Sequence, residues 1–216
     1  RHHPRDLMRT LAVLASGHGT NFEALARAAE RGALGGSIAV LASDHPDAPA
    51  LDRARRLGIE PLALPAGRFR TRLEDESPWI EALASRGVEV VLLAGFMRRL
   101  HALFLDAFRD RIVNIHPSLL PSFPGLDAIA QTWAHGVKVT GCTVHLVEDG
   151  LDCGPILAQS AVDVRGDDTL ATLEARIHEA EHLLYPQAVR RFLTEPWKRD
   201  GRRIVFDGVP AGGSRG

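Results

Sequence analysis

Asn114 and His116 stand two residues apart in the run Asn114-Ile115-His116-Pro117, and alternate residues of a strand project from the same face. Pro117 biases His116 towards extended backbone and, lacking an N–H, helps end the strand there. An amide and a titratable imidazole thus emerge side by side at the C-terminal end of a strand, where open α/β sheets place their ligands. Such a pair suits acyl or formyl transfer, because the amide can donate to an oxyanion while the imidazole moves a proton. The plainer reading is a strand-end histidine bonded to loop backbone beside a turn-forming asparagine. Acids follow at Glu148, Asp149 and Asp152, in a loop marked by the turn signals Asp149-Gly150 and Gly154-Pro155. A carboxylate held against His116 would favour the imidazolium and raise its pKa. Spacing alone does not choose among the three acids, and each can equally be a turn former.

Two further segments carry binding chemistry. Ser16-Gly17-His18-Gly19-Thr20-Asn21 lies between an apolar run and a helical pattern. A glycine turn there lets backbone N–H groups approach an anion at a helix N-terminus, and Thr20 or Asn21 can cap the helix. No Gly-Lys-Ser/Thr follows and no third glycine completes GxGxxG, so the alternative is an ordinary capped turn. In Leu93-Ala94-Gly95-Phe96-Met97-Arg98-Arg99-Leu100, the apolar residues could wall a flat heterocycle or simply pack core. His178, Glu181 and His182 form a polar cluster on an otherwise aliphatic final helix. The two cysteines, Cys142 and Cys153, read as free thiols, and the ten histidines show no HExxH spacing, so no metal site is expected.

The elements that must position these residues alternate between short β-prone runs and helical stretches, the pattern of a sheet wound with helices. Strands are expected at 10–15, 37–42, 59–64, 88–93, 111–116, 140–147 and 156–162. Helices are expected at 21–31, 46–57, 72–85, 100–108, 126–135 and 169–191. Residues 117–125, with three prolines, form a stiff irregular loop. The fold class is α/β: a Rossmann-like, mixed, mostly parallel twisted sheet with helices on both faces. Residues 1–9 read as a disordered lead-in, 10–195 as one domain and 196–216 as a loosely attached tail.

The chain has 216 residues, of which 45% are hydrophobic and 25% charged, enough for a core without metal or disulfide staples. A net charge of -1 gives no support for a nucleic-acid partner. No apolar run reaches a membrane span and no signal-peptide core is present, so a cytoplasmic protein is expected.

Together SGHGTN at 16–21, AGFMRRL at 94–100, NIHPSLLPSFPG at 114–125, TVHLVEDGLDCGPIL at 143–157 and EHLLYP at 181–186 resemble the folate-dependent formyltransferases, and among them the phosphoribosylglycinamide formyltransferases. The resemblance runs from about Thr10 to Phe192. It implies transfer of a formyl group from the co-substrate 10-formyltetrahydrofolate to the amine of glycinamide ribonucleotide, without metal, by a monomer or homodimer. It makes Asn114, His116 and Asp152 catalytic, with Asp152 orienting His116. Gly19, Thr20, Asn21 and Glu181 would hold the phosphate-bearing substrate. Arg72, Met97, Arg98, Arg99, Leu100, Asn114 and Val147 would contact the folate. His18 stands where an asparagine is common, Cys153 where glycine is frequent, and Asp127 and Ile129 where some relatives carry histidines. Formyltransferases acting on methionyl-tRNA usually carry an arginine after the SLLP loop, where this chain has Phe123-Pro124-Gly125. Formyltetrahydrofolate deformylases carry an extra N-terminal domain, and only about ten residues precede the first strand here.

Overall fold

The computed structural model describes residues 8–207. In chain order the elements are β1 (Arg9–Leu14), α1 (Thr20–Glu30), β2 (Gly36–Ser43), α2 (Pro49–Arg56), β3 (Glu60–Ala63), α3 (Ser77–Ala84), β4 (Val90–Leu93) and α4 (Ala102–Ala107). They continue with β5 (Ile112–His116), α5 (Ala128–His135), β6 (Val139–Leu146), β7 (Ile156–Asp163), α6 (Leu170–Thr194), β8 (Trp197–Asp200) and β9 (Arg203–Phe206). All nine strands join one sheet in the order β3-β2-β1-β4-β5-β6-β7-β9-β8. The first five are parallel, while β6 runs antiparallel to both β5 and β7.

The central strands are apolar on both sides, as a sheet covered on two faces requires. Leu11, Val13, Val90 and Leu92 turn to a core shared with Phe22, Leu25, Tyr185 and Val189. Ala12, Leu14, Val91 and Leu93 turn to the opposite core, around Trp79, Leu83, Phe104 and Phe108. The chain winds outward through β2 and β3 and then returns to place β4 against the free side of β1. This reversal opens a crevice at the strands' C-terminal ends. Backbone bonds tie its two lips together: Ala94 N–H to the Leu14 carbonyl at 2.9 Å and Ser16 N–H to the Gly95 carbonyl at 3.2 Å. The Met97 N–H adds a bond to Ser16 Oγ at 2.8 Å.

Two expectations are corrected. The helix expected from residue 72 begins at Ser77, with Pro78 in its first turn, where a missing N–H costs nothing. Residues 72–76 are spent otherwise: Glu76 is buried and its carboxylate accepts the N–H groups of His101 and Phe104 at the start of α4. The tail expected from residue 196 is, as far as residue 207, a hairpin. Its strand β9 meets β7 at Ile156, and Trp197 stacks on Phe192 with ring centroids 5.2 Å apart. The lead-in as far as residue 7 and the end from residue 208 lie outside the described residues. No helix among the described residues is long and apolar enough to cross a membrane.

Candidate active site

A cavity of about 960 Å³ occupies the crevice, walled by residues 125–128, Thr71 and His145 and by five further groups of residues. Residues 17–21 come from the β1–α1 turn, and 93–100 from the end of β4 and the turn beyond it. Asn114 and His116 come from β5, 147–153 from the β6–β7 loop, and His178 and Glu181 from α6. The structure thus brings the catalytic candidates, the glycine turn and the apolar segment into one hollow.

Four side chains meet within it. Antiparallel pairing sets Asn114 opposite His145, and Asn114 Nδ2 lies 3.2 Å from His145 Nε2. His145 donates Nδ1–H to the Leu146 carbonyl at 2.9 Å, so Nε2 carries the lone pair of the neutral ring. Burial lowers the His145 pKa, against the raising effects of that carbonyl bond and of Asp152. A neutral His145 accepts one amide hydrogen of Asn114 and leaves the other free for the cavity. His116 donates Nε2–H to the Phe123 carbonyl at 2.8 Å, which turns Nδ1 towards Asp152 Oδ2 at 3.5 Å. Asp152 Oδ1 lies 3.8 Å from His145 Nε2, beyond hydrogen-bond reach and with no proton between them while the ring is neutral, so the carboxylate engages His116.

The surrounding loops are fastened to hold this geometry. Asp152 has φ +47°, a left-handed conformation that aspartate tolerates better than most residues. The Gly125 N–H fixes its carboxylate at 2.8 Å. The proline-rich loop is held in turn, by Thr143 Oγ1–H to the Ser118 carbonyl at 2.7 Å and by Gln159 Nε2–H to the Leu120 carbonyl at 2.9 Å. Of the three acids in the β6–β7 loop, Asp152 alone faces the histidines. Glu148 pairs with Arg199, and the Asp149 carbonyl accepts from Cys153 Sγ.

At one wall of the cavity Gly19 caps α1 with φ +76°. The N–H groups of Thr20, Asn21 and Phe22 precede the first internal bond of α1, from Glu23 N–H to the Gly19 carbonyl at 2.9 Å. Helix α2 supports the turn from behind. Ala50 N–H donates to the Gly17 carbonyl at 3.0 Å, and Arg53 Nε–H to the His18 carbonyl at 2.6 Å. Glu181 is 3% exposed and joined to His178 Nδ1 at 2.6 Å. The Glu181 carboxylate raises the pKa of His178, an effect that burial partly offsets, whereas burial lowers that of His182. Asn21 Oδ1 and His182 Nε2 are buried without a hydrogen-bond partner.

Another wall is more apolar. Leu100 is buried, Met97 is half exposed, and Val147, packed on the same apolar cluster as Leu100, lines the cavity with them. Arg98 contributes its position in the wall but not a free guanidinium. Nε pairs with the buried Asp44 at 2.8 Å, and Nη1 donates to the Phe69 carbonyl. Arg99 N–H bonds the Thr71 carbonyl at 2.8 Å, which brings Thr71 into the wall. Arg72 is not among the lining residues; its guanidinium lies 4.0 Å over the Phe69 ring.

Reasoning from sequence gave no role to His145, His178 or Arg53. His145 was findable, since a strand set antiparallel beside Asn114 must present some residue to it. His178 sits three residues before Glu181, one turn away on the same helix face. Arg53 left no local signal, because its contact with residue 18 spans 35 positions.

An open α/β sheet with an asparagine–histidine–aspartate cluster in the crevice at its strand ends is the architecture of a group-transfer enzyme. The family model described as formyl transferase matches residues 9–189, and the chain belongs to that family. Within it, the chain is 42% identical over 186 residues to the phosphoribosylglycinamide formyltransferase of Bacillus subtilis, covering 86% of this chain and 95% of that one. It is 39% identical over 180 residues to the trifunctional purine biosynthetic protein adenosine-3 of Homo sapiens, covering 83% of this chain and 18% of that one. The crystal structure of glycinamide ribonucleotide transformylase 1 from Symbiobacterium toebii superposes with a TM-score of 0.88 at 45% identity, covering 92% of this chain and 94% of that one.

Proposed function

We infer that the chain transfers the formyl group of 10-formyltetrahydrofolate to the amine of 5-phosphoribosyl-glycinamide, giving formylglycinamide ribonucleotide and tetrahydrofolate in de novo purine biosynthesis. The observation that carries this reading is that one cavity is lined by the Asn114, His116 and Asp152 cluster, by a helix N-terminus suited to a phosphate and by an apolar wall suited to a pterin. Gly19, Thr20 and Asn21 bind the phosphate through backbone N–H groups, and Glu181 accepts from the sugar or amine of the same substrate. Met97, Arg98, Arg99, Leu100 and Val147 line the folate subsite. Arg72, stacked on Phe69, serves at most the outer rim.

The amine nitrogen attacks the formyl carbon, and the carbonyl π pair moves onto oxygen. The free Nδ2–H of Asn114 and a proton on His116 Nδ1 meet the developing oxyanion. At 3.5 Å from Asp152 that Nδ1 is only loosely engaged, so a substrate oxygen can compete for its proton. Each such donor typically lowers the barrier by roughly 3–4 kcal/mol. The new C–N bond stays as the C–N10 bond breaks. The attacking nitrogen loses a proton and N10 gains one, relayed by water beside Asp152. The test is to incubate the protein with 10-formyltetrahydrofolate and the ribonucleotide and follow tetrahydrofolate by absorbance. Ribonucleotide-dependent release is expected; formate release at the same rate without ribonucleotide would overturn the assignment.

A further inference from the structure

The hairpin of β8 and β9 packs against the wall that carries Asp152, and the formyl transfer itself makes no use of it. The hairpin is fixed by its apolar residues: Trp197, Ile204 and Phe206 pack on the core, and the Arg191 guanidinium lies 4.1 Å over the Phe206 ring. Arg199, which strand pairing puts on the same face as Trp197 and Ile204, and Arg202 in the turn reach the β6–β7 loop at its two ends. Arg199 pairs with Glu148 where the loop leaves β6, and with Asp110 at 3.4 Å. Arg202 Nη2–H donates to the Cys153 carbonyl at 2.5 Å where the loop turns back to β7. Between these tethers lie residues 149–152, of which 150–152 line the cavity. The loop has few bonds of its own. Leu146 N–H to the Pro155 carbonyl closes its base at 2.9 Å, and Cys153 Sγ reaches the Asp149 carbonyl at 3.3 Å. The left-handed backbone of Asp152 persists only where its surroundings fix it.

We propose that Arg199 and Arg202 are positioning residues: they hold the Asp152 loop in its cavity-lining conformation, and so set the affinity for the folate and the placement of the Asp152 carboxylate. This rests on the reading of the cavity as a formyltransferase site. The effect falls on one substrate, because the ribonucleotide end is built by α1, α2 and α6, which the tethers do not touch. A solvent-accessible tether of this kind shifts an equilibrium by about two- to fivefold, and two acting on one loop by about tenfold.

The experiment replaces Arg199 and Arg202 by Met, singly and together, in the full chain. It measures both KM values, kcat, thermal stability and backbone amide exchange across residues 148–153. The double variant is expected to raise the 10-formyltetrahydrofolate KM about tenfold and to leave the ribonucleotide KM within about twofold. Exchange should quicken in 148–153 while β1–β5 keep their protection. Arg199→Lys should restore most of the single-variant loss, since an ammonium still reaches Glu148. An unchanged folate KM overturns the proposal, whether or not the loop exchanges faster, and so does an equal rise in both KM values. If the double variant does not fold, the single variants decide by the same readouts. Absence of ribonucleotide-dependent turnover in the unsubstituted chain would instead strike the reading of the site, and the exchange data would still report on the tethers.

Discussion

Gly19 offers the sharpest test of the phosphate end. A Cβ built there would sit 2.8 Å from Ala50 Cβ and 3.1 Å from Ala50 Cα. Carbon atoms in contact prefer roughly 3.5–4.0 Å, so Gly19→Ala forces the turn and α2 apart by on the order of 1 Å. The obstacle is helix backbone rather than a flexible tip, so it cannot swing away. The φ of +76° adds roughly 1–2 kcal/mol of left-handed strain for any residue with a Cβ. A displacement of about 1 Å takes an N–H···O bond out of its working range. Losing one bond to a charged oxygen costs about 1.5–3 kcal/mol, or roughly a 10- to 100-fold rise in the ribonucleotide KM. The folate KM should change by less than about twofold. Gly32→Ala is the control: its φ is +70° but open space surrounds it, so it carries the strain without the clash. That variant should melt a few degrees lower with both KM values unchanged. A Gly19→Ala protein with an unchanged ribonucleotide KM, or with both KM values raised alike, would refute the placement of the phosphate.

Three further outcomes are expected. Asp152→Asn keeps the side-chain shape and suits the left-handed backbone, so kcat should fall about 100-fold or more with both KM values within about threefold. The same variant should titrate His145 lower still by NMR, because burial already depresses it and Asp152 is one of the groups opposing that; an unmoved His145 would remove the carboxylate from the cluster. His178 titrates above its ordinary 6.5 because Glu181 bonds its Nδ1, so the pair stabilises the fold fully below the unfolded value and progressively less as pH rises through the folded one. Glu181→Gln should lower that titration and flatten this part of the stability profile, and an unchanged profile would count against the pair. Burial pushes the Cys142 thiol up to about 12, whereas Cys153 lines the cavity, so at pH 8 a maleimide should label Cys153 quickly and Cys142 hardly at all. Bound folate should slow the Cys153 reaction; comparable labelling of both thiols would contradict the burial argument.

The elements read most easily from sequence were those whose burial is complete or strongly periodic. The run Leu11–Leu14 has no polar face because helices cover both sides of the sheet, and β4 is apolar for the same reason. Where a segment's role depends on a distant partner, the local pattern misled. Residues 72–76 have helix-compatible composition, yet Glu76 is drawn off to the start of α4 and Arg99 bridges to the backbone at 71–72. The charged residues of 197–203 likewise look like a solvated tail, since one face of β8 and β9 is charged. What makes them strands is pairing with each other and with β7, which local composition does not announce.

The site divides along the same line. Asn114 and His116 could be paired from their spacing, because the strand period alone fixes which face they share. Choosing Asp152 over Glu148 and Asp149 needed the loop's path: Arg199 draws Glu148 outward, and the Gly125 N–H draws Asp152 inward. The role of His145 comes from register. Antiparallel pairing sets it against Asn114, and its bond to the Leu146 carbonyl decides which ring nitrogen carries the proton. That choice orients the Asn114 amide. If His145 bore protons on both nitrogens, Nε2–H and Nδ2–H would confront each other at 3.2 Å, and the amide would have to turn its oxygen to the ring. Asn114 would still offer the cavity a hydrogen, but from a different position relative to His116. Burial keeps His145 neutral down to lower pH than an exposed histidine, so the arrangement with Nδ2–H against the ring is the one in place at neutral pH. The donor proposed for the oxyanion therefore depends on His145, through a contact that strand pairing sets between residues 31 positions apart.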